Sequence, residues 1–494
     1  MSKFYITTAI DYTNDRPHLG HALEKVQADV LARYHRLRGD DVFFLTGTDE
    51  HGAKIVKAAK LAGKEPKEFV DEISEYFKNL LKELNISNDD FIRTTDQKRH
   101  WPAVQKFWKK LKDNGDLYKA KYEGLYCIGH EAFIKKSELK NGLCPDHQIE
   151  PEKIKEENYF FKLSKYKDKI RDLISEDKIK IQPQFRKDEV LNLLKESEDV
   201  SFSRPRKDLE WGIPVPDDSE HTIYVWTEAL QNYISAINYG EESFQLKDLW
   251  PADIHLIGKD ILRFHAIIWP AMLLAAGLET PKSIYVHGFI TIDGQKMSKT
   301  IGNVIDPFQL VKRYGVDPVR YYLLREIPSY EDGDFSIQKF EARYNADLAN
   351  NLGNLVSRVV ALIEKSFNSS FAYHRKFVSK EIDDKVIETW KKYNQNISEF
   401  KLHIALESIF SLIDFANSYV DEHKPWSLAD NPEHLNEVIT NLIVILLNIA
   451  WLLKPFLPQT SDRIFEIIGA DKEGKSWEEK PFVVKPKILF PKIQ

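Results

Sequence analysis

Cysteine is nearly absent: Cys127 and Cys144 are the only two among 494 residues, too few to staple a chain of this size, so a disulfide scaffold is excluded. Glycine and proline are also sparse, at 21 and 22 residues, which excludes collagen-like and low-complexity disordered chains. No long unbroken apolar run occurs. The longest, Leu442 to Leu453, is interrupted by Asn448 and closed by Lys454-Pro455, short of the ~20 residues of a membrane span. It reads as a buried helix, and no membrane partner is expected. Met1 to Ile10 lacks a long apolar core between a basic start and a cleavage site, so a cytoplasmic location is expected. Positive charge is not in excess either, since 70 Lys+Arg against 76 Asp+Glu give a net charge of −6, which disfavours non-specific binding along nucleic acid. Arg204-Pro-Arg206-Lys207 keeps a specific RNA contact open, and reads equally as solvated surface. What is present, 43% apolar and 30% charged residues, describes a globular protein. At roughly 100–200 residues per domain it should fold as about three units.

The order of patterns supplies the architecture. Phe4 to Ile10 is β-branched and aromatic, Leu19 to Leu37 has helical spacing, and Asp41 to Thr46 is a short apolar run, together predicting a βαβ unit. Such units build parallel sheets whose ligands collect at the carboxyl ends of the strands. Tyr12 to His21 and Gly47 to Gly52 would fall there. From about Gly115 to Glu220 the chain turns to short Lys- and Glu-rich segments holding both cysteines, and strand-like runs return at Thr222 to Trp226 and His255 to Ile257. That is the texture of an insertion splitting the sheet domain. Beyond Glu341, Leu348, Leu352, Leu355, Val359 and Leu362 form one stripe, and a helix bundle is predicted.

Two motifs carry phosphate chemistry. His18-Leu-Gly-His21 follows Pro17, so both imidazoles should project from the opening turn of the first helix. Backbone N–H groups there attract phosphate, Gly20 permits close approach, and imidazole N–H groups can donate to phosphate oxygens. Lys296-Met-Ser-Lys299-Thr300, after the turn-like Asp293-Gly294, offers two ammonium groups on a loop able to close over a triphosphate. Singly, a histidine pair arises by chance and a two-lysine loop is ordinary surface. The joint occurrence is what counts, with Gly47-Thr-Asp49-Glu-His51-Gly52 after the second strand. Cys127-x-x-His130 and Cys144-x-x-His147 have the paired spacing of a zinc knuckle, or of a metal-free knuckle held by packing. Asn350, Asn354 and Arg358 recur every four residues, as a base-reading face or simply a solvated one.

Both signatures resemble those of class I aminoacyl-tRNA synthetases, His-Ile-Gly-His and Lys-Met-Ser-Lys-Ser, with Leu19 keeping the apolar anchor and Thr300 the hydroxyl. Within the class the chain is most similar to the methionyl-tRNA synthetases, from Thr8-Ala9 to Lys424-Pro425-Trp426. An editing insertion of roughly 200 residues, needed where a pocket separates one methylene by only ~1–3 kcal/mol, has little room in 115–220. Both cysteines lie in that insertion, away from any thiolate site in the pocket.

The resemblance implies an α/β fold: a Rossmann-type doubly wound parallel sheet split by a connective insertion and followed by an all-α anticodon-binding bundle. Its segments would be 1–114 and 221–290 for the two catalytic halves, 115–220 for the insertion, 291–342 for the lysine-loop linker and 343–494 for the bundle. ATP, with Mg2+, would meet Asn14, His18, Gly20, His21, Gly258, Lys259, Asp260, Lys296, Met297, Ser298 and Lys299, with His18, His21, Lys296 and Lys299 acting on the phosphates. Methionine would meet Ala9, Ile10, Tyr12, Trp226, Ala229, Leu230, Tyr233, Ile261 and His265, with Asp49 on its ammonium group. Sulfur–aromatic contacts there contribute ~0.3–1.5 kcal/mol, although Trp226 and Tyr233 alone would read as core aromatics. Asn350, Asn354, Arg358 and Trp426 would read the anticodon. Zinc would be held by Cys127, His130, Cys144 and His147, with His130 a departure from the family's usual cysteines. The implied partners are L-methionine and tRNA(Met), initiator tRNA included, and the chain is expected to be a monomer.

Overall fold

The computed structural model describes residues 2–127, 132–134, 136, 139–145, 148–241, 249–297, 302–471 and 481–493. Ser298, Lys299, Thr300, His130 and His147, all named above, lie outside the described residues, as does the Lys296 side chain. The chain forms two compact units, one of residues 1–17, 38–82 and 87–287 and the other of 18–37, 83–86 and 288–494.

The first unit is built on a parallel sheet of seven strands. Lys3–Thr8 sits at its centre, paired with Asp41–Asp49 on one side and Ile254–Gly258 on the other. Ser283–His287 and Lys180–Gln182 extend one wing, and Asp90–Arg93 extends the other. The order reverses between Lys3–Thr8 and Ile254–Gly258, where ligands of doubly wound sheets bind. The expected strand Phe4 to Ile10 runs as Lys3–Thr8 and, after a break, Asp11–Tyr12 against Thr48 and Asp49. Both central strands are buried along most of their length, as sheets covered on both faces must be.

Three expectations change. The 115–220 stretch is not wholly a separate insertion: Leu117–Cys127 and Glu152–Phe161 do form an antiparallel pair, but Lys180–Gln182 returns to the parallel sheet against Ser283–Tyr285. Thr222 to Trp226 is not one strand, because Asp218–Ile223 ends and a helix opens at Val225, which places Trp226 on a helical turn. Arg204 is not part of a solvated patch. It is buried, its guanidinium stacked 5.1 Å from the Tyr126 ring and 4.9 Å from the Tyr224 ring.

The second unit gathers the helix Leu19–Leu37 with the C-terminal half of the chain. A three-stranded sheet of Gln295–Lys296, Ile290–Ile292 and Gly333–Phe335 precedes a run of helices. Several open with a side-chain cap satisfying a backbone donor of the first turn: Asp306 to Phe308, Ser336 to Lys339, Ser379 to Ile382 and Asn431 to His434. The leucine stripe is buried as expected, although Tyr344–Gly353 winds as a π-helix before Asn354–Phe367 resumes as α. The apolar run near Leu442 belongs to a longer helix than expected, Pro432–Leu453, long enough at 22 residues to cross a membrane. Most of it is buried against neighbouring helices, which makes it a core helix.

Candidate active site

The opening turn of the helix Leu19–Leu37 is fixed by its own two histidines. Gly20 N donates to His18 Nδ1 at 3.1 Å and His18 N donates to His21 Nδ1 at 3.0 Å, with the ring centroids 3.9 Å apart. A nitrogen that accepts a backbone N–H carries no proton itself, so each neutral imidazole holds its proton on Nε2. This revises the expected phosphate cradle: two of the backbone donors are taken by the imidazoles, and the Nε2–H groups are the donors the motif presents. A Cβ added at Gly20 would lie 3.0 Å from His18 Cε1 and 3.7 Å from the Met297 methyl. The lysine loop therefore reaches the histidine turn within one unit, through Met297.

Every residue named for methionine lies in the first unit. Ala9, Leu230 and Tyr233 are buried in one core cluster, with Ile10, Ile261 and Phe264 packed against it. The Trp226 indole stacks on Phe264 at 3.9 Å with planes 9° apart, so Trp226 lies flat against this wall. Tyr12 packs instead with a neighbouring cluster around Ile55 and Phe77, and is the register partner of Asp49. Asp49 ends its strand nearly buried, its carbonyl accepting from Thr13 N and Thr13 Oγ1, each at 3.0 Å.

A polar chain runs through the same buried cluster. His265 Nδ1 faces Ile261 O at 3.0 Å, and a carbonyl only accepts, so Nδ1 donates and Nε2 accepts from the Tyr233 hydroxyl at 2.8 Å. His255 Nε2 accepts from Trp269 Nε1 at 3.2 Å, which leaves Nδ1–H to donate to Thr7 Oγ1 at 2.7 Å. Burial, reinforced by the nearby His265, holds His255 well below the usual imidazole range and keeps it neutral. The Tyr5 hydroxyl donates to Tyr233 O at 2.7 Å, pinning the wall from beneath. His265 sits on a π-helical turn, Phe264–Ile268, a distortion often found at functional sites.

Gly258 closes the strand Ile254–Gly258, and a Cβ there would sit 2.8 Å from Asp260 Oδ1. Lys259 and Asp260 open the 3-10 turn that follows. Asn14 is exposed in the loop before His18. In the second unit Asn350 and Asn354 are exposed and Arg358 is partly so. The Arg358 guanidinium pairs with Asp421 and lies 6.0 Å from the ring of Trp426, itself 53% exposed. Sequence reasoning missed Phe264, His255, Asp421 and two members of a buried trio, Glu228 and His100, and noted the third, His51, only within the Gly47–Gly52 motif. Their partners come from distant segments, so no local spacing could have signalled them.

The doubly wound parallel sheet of the first unit, with Tyr233 and the stacked Trp226 and Phe264 packed beside its central strands, and, within the second unit, a histidine turn met by the lysine loop at Met297 are the features of a class I aminoacyl-tRNA synthetase. Residues 4–153 and 134–360 match the family described as tRNA synthetases class I (M), and residues 379–491 match the anticodon-binding domain of tRNA ligases. The chain is 46% identical to the methionine–tRNA ligase of Thermotoga maritima over 98% of its length and 78% of that protein. It is 42% identical to that of Rickettsia conorii over 99% of both chains. A Mycobacterium tuberculosis methionyl-tRNA synthetase solved with methionyl-adenylate superposes with a TM-score of 0.92 at 35% identity, covering 99% of this chain and 100% of that one. The chain belongs to the methionyl-tRNA synthetase family, the methionine–tRNA ligases.

Proposed function

We propose the following division of labour for this methionine–tRNA ligase. Methionine's side chain enters between Trp226, Tyr233, Leu230 and Ala9, flanked by Ile10, Tyr12, Ala229, Ile261 and His265, and its ammonium group pairs with Asp49. The methionine carboxylate attacks the α-phosphate of ATP in line, forming the acyl-phosphate bond of methionyl-adenylate as the bond to the β-phosphate oxygen breaks and pyrophosphate leaves. The terminal ribose hydroxyl of tRNA(Met), initiator tRNA included, then attacks the carbonyl carbon and AMP departs.

Charge shifts onto phosphate oxygens during the first step. Donors aimed there contribute more to the transition state than to the ground state. The observation that carries this reading is the pair of imidazoles whose Nδ1 atoms are committed to backbone N–H groups, which leaves Nε2–H as donor on both His18 and His21. Lys296 and Lys299 would add point charges to the leaving pyrophosphate. Asn14, Gly20, Gly258, Lys259, Asp260, Met297 and Ser298 would hold the nucleotide, and Mg2+ would enter with ATP. The anticodon-binding domain of the C-terminal half binds tRNA, where Asn350, Asn354, Arg358 and Trp426 would read the anticodon.

The 1–114 and 221–290 segments would serve as catalytic halves, joined by the strand Lys180–Gln182, the rest of 115–220 as the connection, 291–342 as linker and 343–494 as the tRNA-reading bundle. Cys127 and Cys144 are both buried and form no disulfide, as suits thiolates of a structural zinc site completed by His130 and His147. Zinc there would hold the knuckle together and take no part in the chemistry. We place the protein in the cytoplasm as a monomer. The test is ATP–pyrophosphate exchange across the twenty amino acids, followed by charging of total tRNA. Exchange with methionine alone and charging of tRNA(Met) is the expected result, and exchange without amino-acid dependence would overturn it.

A further inference from the structure

One buried cluster is used by neither the pocket nor the phosphate chemistry. The Glu228 side chain is fully buried, with Oε1 2.9 Å from His51 Nδ1 and Oε2 2.8 Å from His100 Nε2. On its far side, His100 Nδ1 lies 2.8 Å from Ser235 Oγ. His51 is walled by the rings of Trp101 and Trp211, at 5.9 Å and 5.6 Å. Burial pushes the Glu228 carboxyl up, and the two imidazoles outweigh it, holding it below the ordinary carboxylate range.

The places these residues occupy give the cluster its meaning. His51 stands two residues past Asp49, at the end of the strand that presents the ammonium anchor. Glu228 stands two residues past Trp226 and next to Ala229. Ser235 stands two residues past Tyr233. A single carboxylate therefore ties the ammonium end of the amino-acid site to both helical turns that form its side-chain wall. Beside it, Glu50 is locked independently. Arg93 donates to it at 2.6 and 2.9 Å, Thr48 Oγ1 donates at 2.6 Å, and Trp211 Nε1 donates to the Glu50 carbonyl at 2.7 Å. A buried ionic cluster seldom stabilises a fold more than well-packed apolar side chains would. What it supplies is fixed separation and direction, because each of its bonds tolerates only small displacements.

We propose that Glu228 is a positioning residue of the amino-acid site: through His51 and His100 it sets the distance between Asp49 and the Trp226–Tyr233 wall, and so the fit of methionine. The proposal rests on the reading of that site given above. The test is ATP–pyrophosphate exchange by E228Q, with KM for methionine and KM for ATP measured separately, beside H51Q and the double variant. The amide keeps the shape but can accept from only one of the two imidazoles. KM for methionine should rise roughly tenfold, about 1.4 kcal/mol, while KM for ATP stays within about twofold. H51Q should show the same split, and the double variant should be no worse than the worse single, because the residues act as one unit. Should E228Q fail to fold, H51Q carries the test alone. An unmoved KM for methionine, or equal rises in both constants, overturns the proposal. Asp49→Ala separates it from the underlying site: if that variant keeps full methionine-dependent exchange, the site reading fails, whereas its loss beside an indifferent E228Q refutes only the role of Glu228.

Discussion

Replacing Arg320 with methionine should be among the most damaging single changes in the second unit, although the residue touches no substrate. Arg320 lies on the helix Val316–Arg325 and is fully buried. Its Nε donates to Phe456 O at 2.8 Å, Nη1 to Leu84 O at 3.1 Å and Nη2 to Pro455 O at 3.0 Å, and Nη1 pairs with Asp29 at 2.8 Å. Asp29 also accepts from Arg33 Nε at 2.7 Å. Burial pulls the guanidinium below its ordinary range, with Asp29 opposing, and arginine remains a cation throughout. Methionine fills comparable space with no donor. Three buried carbonyls are then orphaned at ~1–3 kcal/mol each, and Asp29 loses the Arg320 cation while keeping Arg33. Partial relaxation lowers the sum, and the expected loss is ~3–5 kcal/mol, the range for breaking a buried ion pair. R320K should lose less, since one ammonium reaches some of these acceptors but cannot span the fork. The assay is denaturant unfolding followed by circular dichroism, with pyrophosphate exchange measured on the folded fraction. Asp29 sits on the helix Leu19–Leu37, which carries His21 and opens right after His18, so exchange should fall as well. A loss under about 1 kcal/mol in R320M would refute the reasoning, because the guanidinium would then be dispensable to its four partners.

Other predictions follow from single groups. Lys296→Ala should slow adenylate formation by roughly 10²–10³, the usual cost of one transition-state donor, while methionine affinity by equilibrium dialysis stays within about twofold; similar exchange rates for the two proteins would remove Lys296 from the chemistry. Trp426→Ala should raise KM for tRNA roughly 5- to 150-fold, from ~1–3 kcal/mol of stacking, and leave tRNA-free exchange unchanged. Burial pushes Tyr322 up to about 12, and burial with the Glu341 carboxylate at 2.5 Å does the same to Tyr314. Below the ordinary value of 10.0 both are protonated in the folded and unfolded chain alike. Above it the unfolded chain releases protons that the fold retains, so stability should fall as pH rises from 10.0 toward about 12. Tyrosinate absorbance with ordinary titration of both groups would contradict this.

Many of the candidate residues were legible because they fall at strand ends, where the sequence itself marks the place. His18 and His21 follow the first strand, Asp49 ends the second, and Gly258 ends the strand after the insertion. The stripe from Leu348 to Leu362 likewise announced a helix through its spacing. What stayed hidden depends on pairs far apart in sequence. Trp226 meets Phe264, and Glu228 meets both His51 and His100, so each residue alone looked like ordinary core or surface. Lys180–Gln182 is too short a strand to be recognised without its partner Ser283–Tyr285. Arg204 was read by its charge, whereas two aromatic rings decide its burial. The π-helical turn over Tyr344–Gly353 departs from a period that the leucines satisfy almost equally well.

The central claim is that the methionine carboxylate itself attacks the α-phosphate beside the two imidazole donors. Methionine labelled with heavy oxygen in its carboxylate, incubated with ATP, tRNA and the enzyme, tests this directly when the released AMP is weighed by mass spectrometry. AMP should carry one heavy oxygen per turnover, because the bridging oxygen leaves with it when the tRNA hydroxyl takes the acyl group. Unlabelled AMP, with tRNA nonetheless charged, would contradict the account.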